Sequence, residues 1–233
     1  MQVEYLYDLF YPSVRGLTYD QEAALFHEMI RRHQPDAMQI LDIACGTGGH
    51  AAALSKYYNI IGVDCDKASL DRARKRISSA SFYEGDMMDF ELSSTFDVIL
   101  CLGSSIGFAQ TLKCLHTTLN NFRKHIAANG LLILEPWMTP EHWESGKMDV
   151  HTFKTTSLSI TRMTHYGMDE GLSQLTHDYI IERHGETERV KEQYKLGLFR
   201  YIEIEEALAS VDFQIIGIEE FTDGRQVILS RAI

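Results

Sequence analysis

The chain has 233 residues, of which 45% are hydrophobic and 24% are charged, and its formal net charge is -11. That length and apolar content suit one sizeable domain that buries its own core, with or without a large insertion. The negative charge repels nucleic-acid phosphates, which argues against a general DNA- or RNA-binding role. No run of about 18 apolar residues is present, so no membrane span is expected.

The cysteines and the N-terminal segment bear on the cell compartment. The four cysteines lie singly, with no pair and no neighbouring histidine at metal-ligand spacing, which predicts reduced core thiols and no metal site. The first eleven residues carry Glu4 and Asp8 instead of a basic start followed by an apolar run. No signal peptide is therefore expected, and the predicted location is cytoplasmic.

Helices and strands alternate along the first part of the chain. Apolar residues at helical spacing predict a helix over residues 19–32, ahead of the first strand. The predicted strands cover residues 38–44, 60–63, 81–83, 96–102 and 131–134, and further helices cover residues 49–54, 67–77 and 111–127. Five strands separated by helices predict a mainly parallel sheet that is covered on both faces.

After Pro136 the pattern changes to β segments joined by turn-forming residues. These segments cover residues 156–164, 175–182 and 189–199, and they predict an antiparallel β insertion after the fifth strand. A helix over residues 201–210 and two strands at 213–218 and 226–229 follow. We therefore expect a core made of residues 1–136 and 200–233, in which residues 1–35 form a lid. Residues 137–199 are the expected insertion, a substrate cover and a dimer surface.

Residues that follow the predicted strands are the candidates for ligand binding, because open parallel sheets bind ligands beyond the carboxyl ends of their strands. The first strand ends in Asp42-Ile-Ala-Cys-Gly-Thr-Gly48, whose glycines let the backbone approach a ligand closely. Asp64 ends the second strand and suits the two hydroxyls of a ribose. Asp86 ends the third, where it can accept from an adenine amino group while Met87 lies against the ring. Cys101 ends the fourth, under the amino-acid end of the same ligand.

Leu41-Asp-Ile-Ala-Cys-Gly-Thr-Gly48, together with Asp64 and Gly85-Asp86, resembles the motif set of class I S-adenosylmethionine-dependent methyltransferases. The resemblance implies a doubly wound α/β fold with a seven-stranded, mainly parallel sheet whose last strand runs antiparallel. It implies S-adenosyl-L-methionine as cofactor and S-adenosyl-L-homocysteine as product. The expected cofactor-binding residues are Tyr19, Asp42, Ala44, Gly46, Thr47, Gly48, Asp64, Asp86, Met87 and Cys101.

A dinucleotide-binding enzyme is the competing interpretation of the glycine turn. Gly46-x-Gly48-x-x-Ala51 also satisfies the dinucleotide fingerprint with alanine at the third position. Dinucleotide domains usually begin with the glycine strand, whereas here a helix precedes it, and they give no reason for an aspartate at position 42. The methyl donor is therefore the favoured ligand.

Over nearly the whole chain the sequence is similar to the nucleotide-sugar N,N-dimethyltransferases that build dimethylamino sugars such as desosamine and mycaminose. Ser104-Ser-Ile-Gly107 and Glu135-Pro-Trp137 are the most selective matches, because the general methyltransferase sheet does not require them. The resemblance implies methyl transfer to the amine of an amino sugar or a nucleotide-linked amino sugar. It also implies a homodimer. Neither nucleic acid nor a membrane is an expected partner, because the net charge is negative and no long apolar run is present.

Three departures from that family leave other acceptors open. Phe108 stands where the family usually has tyrosine or histidine, Tyr194 replaces a family histidine, and Met138 replaces a second tryptophan. A methyltransferase for another small amine or hydroxyl metabolite is one alternative. A protein that binds S-adenosylmethionine without turnover is an alternative of a different class.

The candidate residues on the acceptor side fall into two groups. Holding a neutral amine in line with an activated methyl group requires orientation more than a strong base, and a low-dielectric pocket lowers the pKa of the amine. The expected catalytic residues are Tyr7, Ser105 and Glu135, and the expected substrate-binding residues are Phe108, Trp137 and Arg225. Arg225 can meet a diphosphate bidentately, although an exposed arginine in a hairpin turn is the alternative. The alternative role of Tyr7 and Trp137 is packing, and that of Glu135 is to cap the loop after its strand. His50 is expected on a helix surface.

Overall fold

The structure is a computed structural model that describes residues 3–221 and 223–233. Residues 1 and 2, which belong to the predicted lid, lie outside the described residues. The helices are α1 (Val3–Arg15), α2 (Tyr19–His33), α3 (Gly49–Leu54), α4 (Lys67–Arg76), the 3-10 helix η1 (Ser105–Ala109), α5 (Leu112–His125) and α6 (Tyr201–Ala209). The strands are β1 (Gln39–Ile43), β2 (Asn59–Asp64), β3 (Ser81–Glu84), β4 (Phe96–Cys101), β5 (Ile126–Leu134), β6 (Met148–Lys154), β7 (Leu158–Asp169), β8 (Leu172–Arg183), β9 (Glu186–Leu196), β10 (Phe213–Glu220) and β11 (Gln226–Ala232).

Seven strands form the main sheet in the order β10-β11-β5-β4-β1-β2-β3. The strands β1 to β5 pair in parallel, whereas β11 runs antiparallel to both of its neighbours, β5 and β10. The predicted α/β fold, with a mainly parallel sheet and an antiparallel last strand, is confirmed. This order places the carboxyl ends of β1, β2, β3 and β4 along one edge.

Strand β4 shows how the sequence builds a core on each face of the sheet. Val98 and Leu100 pack in a cluster with α2, α3 and α4, and Ile99 and Cys101 alternate with them in a cluster with α5 and α6. All four side chains are fully buried. Burial on both faces explains the continuous apolar run, and each such aliphatic side chain contributes about 1.5–3 kcal/mol.

The predicted antiparallel insertion is confirmed as a four-stranded sheet in the order β6-β7-β8-β9, placed between β5 and α6. Strands β7, β8 and β9 correspond to the three predicted segments. The edge strand β6 was not predicted, because its residues alternate between exposed and half-buried and give no apolar face.

Helix α1 connects the lid to the insertion. Leu6 and Phe10, one turn apart, are fully buried against Ile160, Tyr179 and Ile181 of the insertion sheet. The sequence did not predict this helix, which contains Pro12 in its interior, a residue that normally breaks helices. The lid and the insertion therefore share a small core of their own.

Helix α2 begins where the sequence predicted. Thr18 caps it, accepting a hydrogen bond from the Gln21 backbone N–H, while the Gln21 side chain accepts from the Thr18 N–H. This capping box fixes Tyr19 as the first helical residue. Among the helices of the described residues, none combines the length and apolar content that crossing a bilayer requires.

Phe10→Ala is expected to release α1 from the insertion while leaving the main sheet folded, because Phe10 packs only in the small shared core. Hydrogen exchange should show loss of amide protection in α1 and unchanged protection in β1, β4 and β5. Phe122→Ala, in the main core, is the matched control and should lower the global free energy of unfolding by about 3–5 kcal/mol. Unchanged protection of α1 in the Phe10 variant would contradict this account of the lid.

Candidate active site

The turn after β1 is built largely from residues in the left-handed region of backbone angles. Ala44, Gly46 and Gly48 all have left-handed backbone angles, with φ of 55°, 53° and 73°. A Cβ atom on Gly48 would lie 3.0 Å from the Cβ of Ala73 in α4, whereas one on Gly46 would meet nothing within 4 Å. Glycine is needed at position 48 for close packing on α4, and the turn leaves open space over Gly46.

Asp64 and Asp86 lie at the ends of neighbouring strands. Asp64 accepts hydrogen bonds from the backbone N–H of Gly46 at 2.7 Å and of Asp66 at 2.8 Å, so it joins the turns after β1 and β2. The Gly85 N–H donates to the Asp64 carbonyl at 3.0 Å, which brings Asp86 alongside. Burial raises the pKa of the Cys65 thiol, and the charges of both aspartates add to this effect. The structure thus brings Asp64 and Asp86 to neighbouring strand ends, at the edge where open parallel sheets bind ligands.

Asp42 is a buried carboxyl group of β1, one strand over from Asp64. It is 3% exposed and makes no hydrogen bond with the residues that the structure describes. Burial and then the negative charge of Asp64 raise its pKa to about 7, although His50 opposes the shift. Near neutral pH, Asp42 therefore exists in both protonation states.

Asp8 of α1 joins four parts of the molecule at the glycine turn. Its carboxylate accepts hydrogen bonds from the Thr47 hydroxyl at 2.7 Å and the Tyr19 hydroxyl at 3.0 Å. Arg76 of α4 donates to the other oxygen at 2.5 Å. Sequence reasoning did not select Asp8 as a site residue, yet it holds the lid onto the turn.

Tyr19 covers the start of α3, and its predicted contact with the cofactor stays a prediction. Its ring stacks on Tyr11 with centroids 3.8 Å apart. A Cβ atom on Gly49 would lie 2.3 Å from the Tyr19 ring, so the aromatic side chain fills the space that this glycine leaves. The lid is therefore closed over the turn by an aromatic pair.

Tyr7 and Ser105 meet around Gly103, just after β4. The Tyr7 side chain is 43% exposed, and its hydroxyl is 4.0 Å from the position that a Cβ atom on Gly103 would take. The Ser105 hydroxyl is 3.8 Å from the same position and donates to the Leu102 carbonyl at 2.8 Å. Two of the three predicted catalytic residues thus flank one exposed glycine.

Glu135, the third predicted catalytic residue, is buried and fully engaged. Arg15 donates to both of its carboxylate oxygens at 2.8 Å, and the Gly103 N–H donates to one of them at 3.0 Å. Gly103 and Ser104 both adopt left-handed angles, with φ of 64° and 61°. Glu135 therefore fixes the loop that presents Gly103.

Arg225 is half enclosed by carboxylates. It donates to Glu22 and to Asp223 at 2.5 Å, and it lies 3.4 Å from Glu135. Its side chain is 19% exposed, so it is not a freely exposed hairpin arginine. The predicted contact with a diphosphate stays a prediction, and the described contacts assign Arg225 to a buried charge network.

His50 belongs to the same network, which corrects the expectation of a surface histidine. Its Nε2 lies 2.8 Å from Glu22 and 3.0 Å from the Tyr11 hydroxyl, and its side chain is 11% exposed. Burial alone raises the pKa of Glu22, but the hydrogen bond with His50 and the charge of Arg15 hold it at about 2. Glu22 is therefore an ionised buried carboxylate.

Cys101, a predicted cofactor-binding residue, does not reach the surface at the end of β4. It is fully buried in the core beside α5, and burial raises the pKa of its thiol. The surface at the end of β4 is formed by Gly103 instead. Met87 is half-buried against the same core, and its carbonyl accepts from Asn121 at 3.3 Å.

Phe108 and Trp137 lie where the main sheet meets the insertion. Phe108 is 45% exposed, and its ring contacts Tyr194 of β9 edge-on at 6.1 Å. The Trp137 Nε1–H donates to the Ser173 hydroxyl of β8 at 2.9 Å. The Gly197 N–H donates to the Gly107 carbonyl at 2.7 Å, which fixes the end of β9 on η1.

Comparison with known proteins agrees with this geometry. A family model described as a methyltransferase domain matches residues 40–130. A dTDP-3-amino-3,6-dideoxy-alpha-D-glucopyranose N,N-dimethyltransferase from Streptomyces fradiae is 31% identical over 83% of this chain and 80% of its own. A dTDP-3-amino-3,4,6-trideoxy-alpha-D-glucopyranose N,N-dimethyltransferase from Streptomyces venezuelae is 28% identical over 94% of this chain and 93% of its own.

The solved structure of CalS10, an amino pentose methyltransferase from Micromonospora echinaspora with bound S-adenosylmethionine, superposes with a TM-score of 0.89. It is 25% identical, and the match covers 100% of this chain and 98% of that one. The fold and the strand-end crevice thus define a class I S-adenosylmethionine-dependent methyltransferase. Within that class the chain belongs to the family of nucleotide-aminosugar N,N-dimethyltransferases.

Asp8→Asn is expected to weaken the binding of S-adenosylmethionine about tenfold, because the amide cannot serve three donors as the carboxylate does. Titration calorimetry measures this change. Asp20→Asn is the matched control, since Asp20 is an exposed acid on α2, and its affinity should equal that of the wild type. An unaltered affinity in the Asp8 variant would show that the lid contact does not matter for the cofactor.

Asp42→Asn is expected to stabilise the protein without cofactor at pH 8. Burial raises the pKa of Asp42 in the folded protein to about 7, above its value in the unfolded chain. Stability is therefore lost as pH rises from the unfolded pKa through the folded pKa. The gain in thermal midpoint should be greatest above pH 7 and should vanish near pH 4. A gain of equal size at both pH values would show that charge is not its cause.

Proposed function

We propose that this chain transfers a methyl group from S-adenosylmethionine to the amine of a nucleotide-linked amino sugar. One observation carries the proposal: the glycine turn, Asp64 and Asp86 meet at the same edge of the sheet as Gly103, which lies beside the Tyr7 hydroxyl. The named relatives act on nucleotide-linked amino sugars, which supports the choice of acceptor.

The strand-end residues fit the cofactor chemically. The left-handed turn offers open backbone at Gly46 for the methionine part, and within the described part of the chain the buried Asp42 carboxyl makes no hydrogen bond. Asp64 would hold the ribose, and Asp86 with Met87 the adenine. When bound, the cofactor supplies a methyl group that its sulfonium already activates. Tyr19 and Thr47 then close the turn through Asp8.

On the acceptor side, the chain orients a neutral amine. The Tyr7 hydroxyl can accept a hydrogen bond from the amine N–H and leave the lone pair directed toward the methyl group. Phe108 and Trp137 exclude water from one side, which lowers the pKa of the amine and favours its neutral form. Ser105 borders the same space, and Glu135 acts by fixing Gly103. The proton released by the product amine passes to solvent, so no strong base is required.

The test of this function is release of S-adenosylhomocysteine with dTDP-3-amino-3,6-dideoxy-alpha-D-glucopyranose as acceptor. We expect turnover by the wild type, and about tenfold to a hundredfold lower kcat for Tyr7→Phe with unchanged cofactor affinity, because one orienting hydrogen bond is lost. Cofactor binding without turnover across a broad panel of amines would favour a non-catalytic binding protein.

Arg225→Ala is expected to raise the KM for a nucleotide sugar with little change in cofactor affinity, because a guanidinium can pair with a diphosphate. The matching free amino sugar, which lacks the diphosphate, separates this role from a structural one. If KM rises equally for both acceptors, Arg225 acts only through Glu22 and Glu135.

Two expectations from the sequence remain predictions. They are a cytoplasmic location and a homodimer with the insertion of residues 137–199 at its interface.

A further inference from the structure

The inner face of the insertion sheet is polar along one cross-strand row. We define the inner face as the side that packs on α1 and η1 through Tyr179 and Tyr194. Thr164, His177 and Glu192 lie in register on β7, β8 and β9. A sheet face that covers a protein body is ordinarily apolar, since a buried polar group costs free energy unless it is hydrogen-bonded. The side chains of this row therefore need hydrogen-bond partners.

His177 lies between two aromatic rings of the inner face, Tyr179 and Tyr194. Its ring centroid is 6.2 Å from that of Tyr179 and 5.5 Å from that of Tyr194. Tyr179 in turn lies 6.2 Å from Phe10 of α1, one helical turn after Tyr7. His177 thus lies on the sheet face that contacts α1 through Tyr179 and η1 through Tyr194.

The hydrogen bonds of this row leave one ring nitrogen for a ligand. Burial and the charge of Glu192 raise the pKa of both Tyr179 and Tyr194, so both phenols are neutral. The Nδ1 of His177 pairs with the Thr164 hydroxyl at 2.9 Å, and its Nε2 makes no hydrogen bond with the residues that the structure describes. The side chain is half-buried, so Nε2 is available to a ligand on the inner face of the insertion sheet.

The charge state of His177 narrows the chemistry of that molecule. Burial and the positive charge of Arg162 lower the pKa of His177 to about 4, so the ring is neutral at physiological pH. A neutral imidazole with Nδ1 bonded to a threonine hydroxyl can donate or accept through Nε2, depending on the tautomer. A sugar hydroxyl matches both cases, because it also donates and accepts.

We propose that His177 binds, through Nε2, a hydroxyl on the sugar carbon next to the one that bears the acceptor amine. It thereby makes the chain selective for amino sugars that retain this hydroxyl. Tyr7, which must meet the amine, is one helical turn before Phe10, whose ring lies 6.2 Å from Tyr179, the neighbour of His177. A group beside the amine is therefore the part of the sugar nearest to His177. The inference rests on the proposed function and specifies its substrate.

Two nucleotide sugars that differ by one hydroxyl test the inference. They are dTDP-3-amino-3,6-dideoxy-alpha-D-glucopyranose, which keeps the hydroxyl at carbon 4, and its 3,4,6-trideoxy counterpart, which lacks it. The wild type should prefer the former about tenfold in kcat/KM, the effect of one hydrogen bond. His177→Phe should abolish the preference by raising KM for the hydroxylated sugar alone, while kcat and cofactor affinity stay unchanged.

Two further variants separate recognition from folding. His177→Gln keeps hydrogen-bonding capacity and should restore part of the preference. His165→Phe alters the adjacent residue pair of β7 and β8, on the outer face, where His165 is exposed, and should behave as the wild type. The same preference in the wild type and in His177→Phe, or none in the wild type, would overturn the inference alone. Failure of the wild type to methylate either sugar would overturn the proposed function as well.

Discussion

Buried charges that pair lid with core hold the two sides of the site in place. Glu22 and Glu135 are both removed from solvent, and Arg15 and Arg225 each approach both of them. Buried ions of this kind are tolerated only when each is matched, and removal of one partner typically costs about 3–5 kcal/mol. The arrangement therefore permits one position of α1 and α2 relative to β5. The positions of Tyr7, Tyr19 and Gly103 all depend on that position.

The sequence contains local signals for the main sheet and the cofactor side of the site. Apolar runs with flanking turn residues identify the strands, and a parallel sheet brings its strand ends to one edge, so Asp64 and Asp86 could be placed together in advance. These inferences need only short stretches of chain. The same applies to α2, where a first-turn pattern and an apolar stripe define the helix.

The charge network could not be predicted in this way. Glu22 looks like an ordinary acid in the first turn of a helix, and its partner His50 is 28 residues away. Arg15 and Glu135 are 120 residues apart, and no spacing rule joins them. Helix α1 and strand β6 also escaped prediction, one because of Pro12 and the other because it lacks an apolar face. In each case long-range packing, which the local pattern does not encode, decides the outcome.

Helix α1 has a consequence for how donor and acceptor sites are related. Through Asp8 it contacts the glycine turn after β1, and through Phe10 it packs against Tyr179 of the insertion sheet. Any shift of this helix is felt on both sides, so the two affinities are thermodynamically coupled and the coupling is reciprocal. If the insertion covers the acceptor as proposed, changes in α1 that suit a new acceptor would alter methyl-donor binding too, and so would changes at Tyr179 of β8, which packs on Phe10.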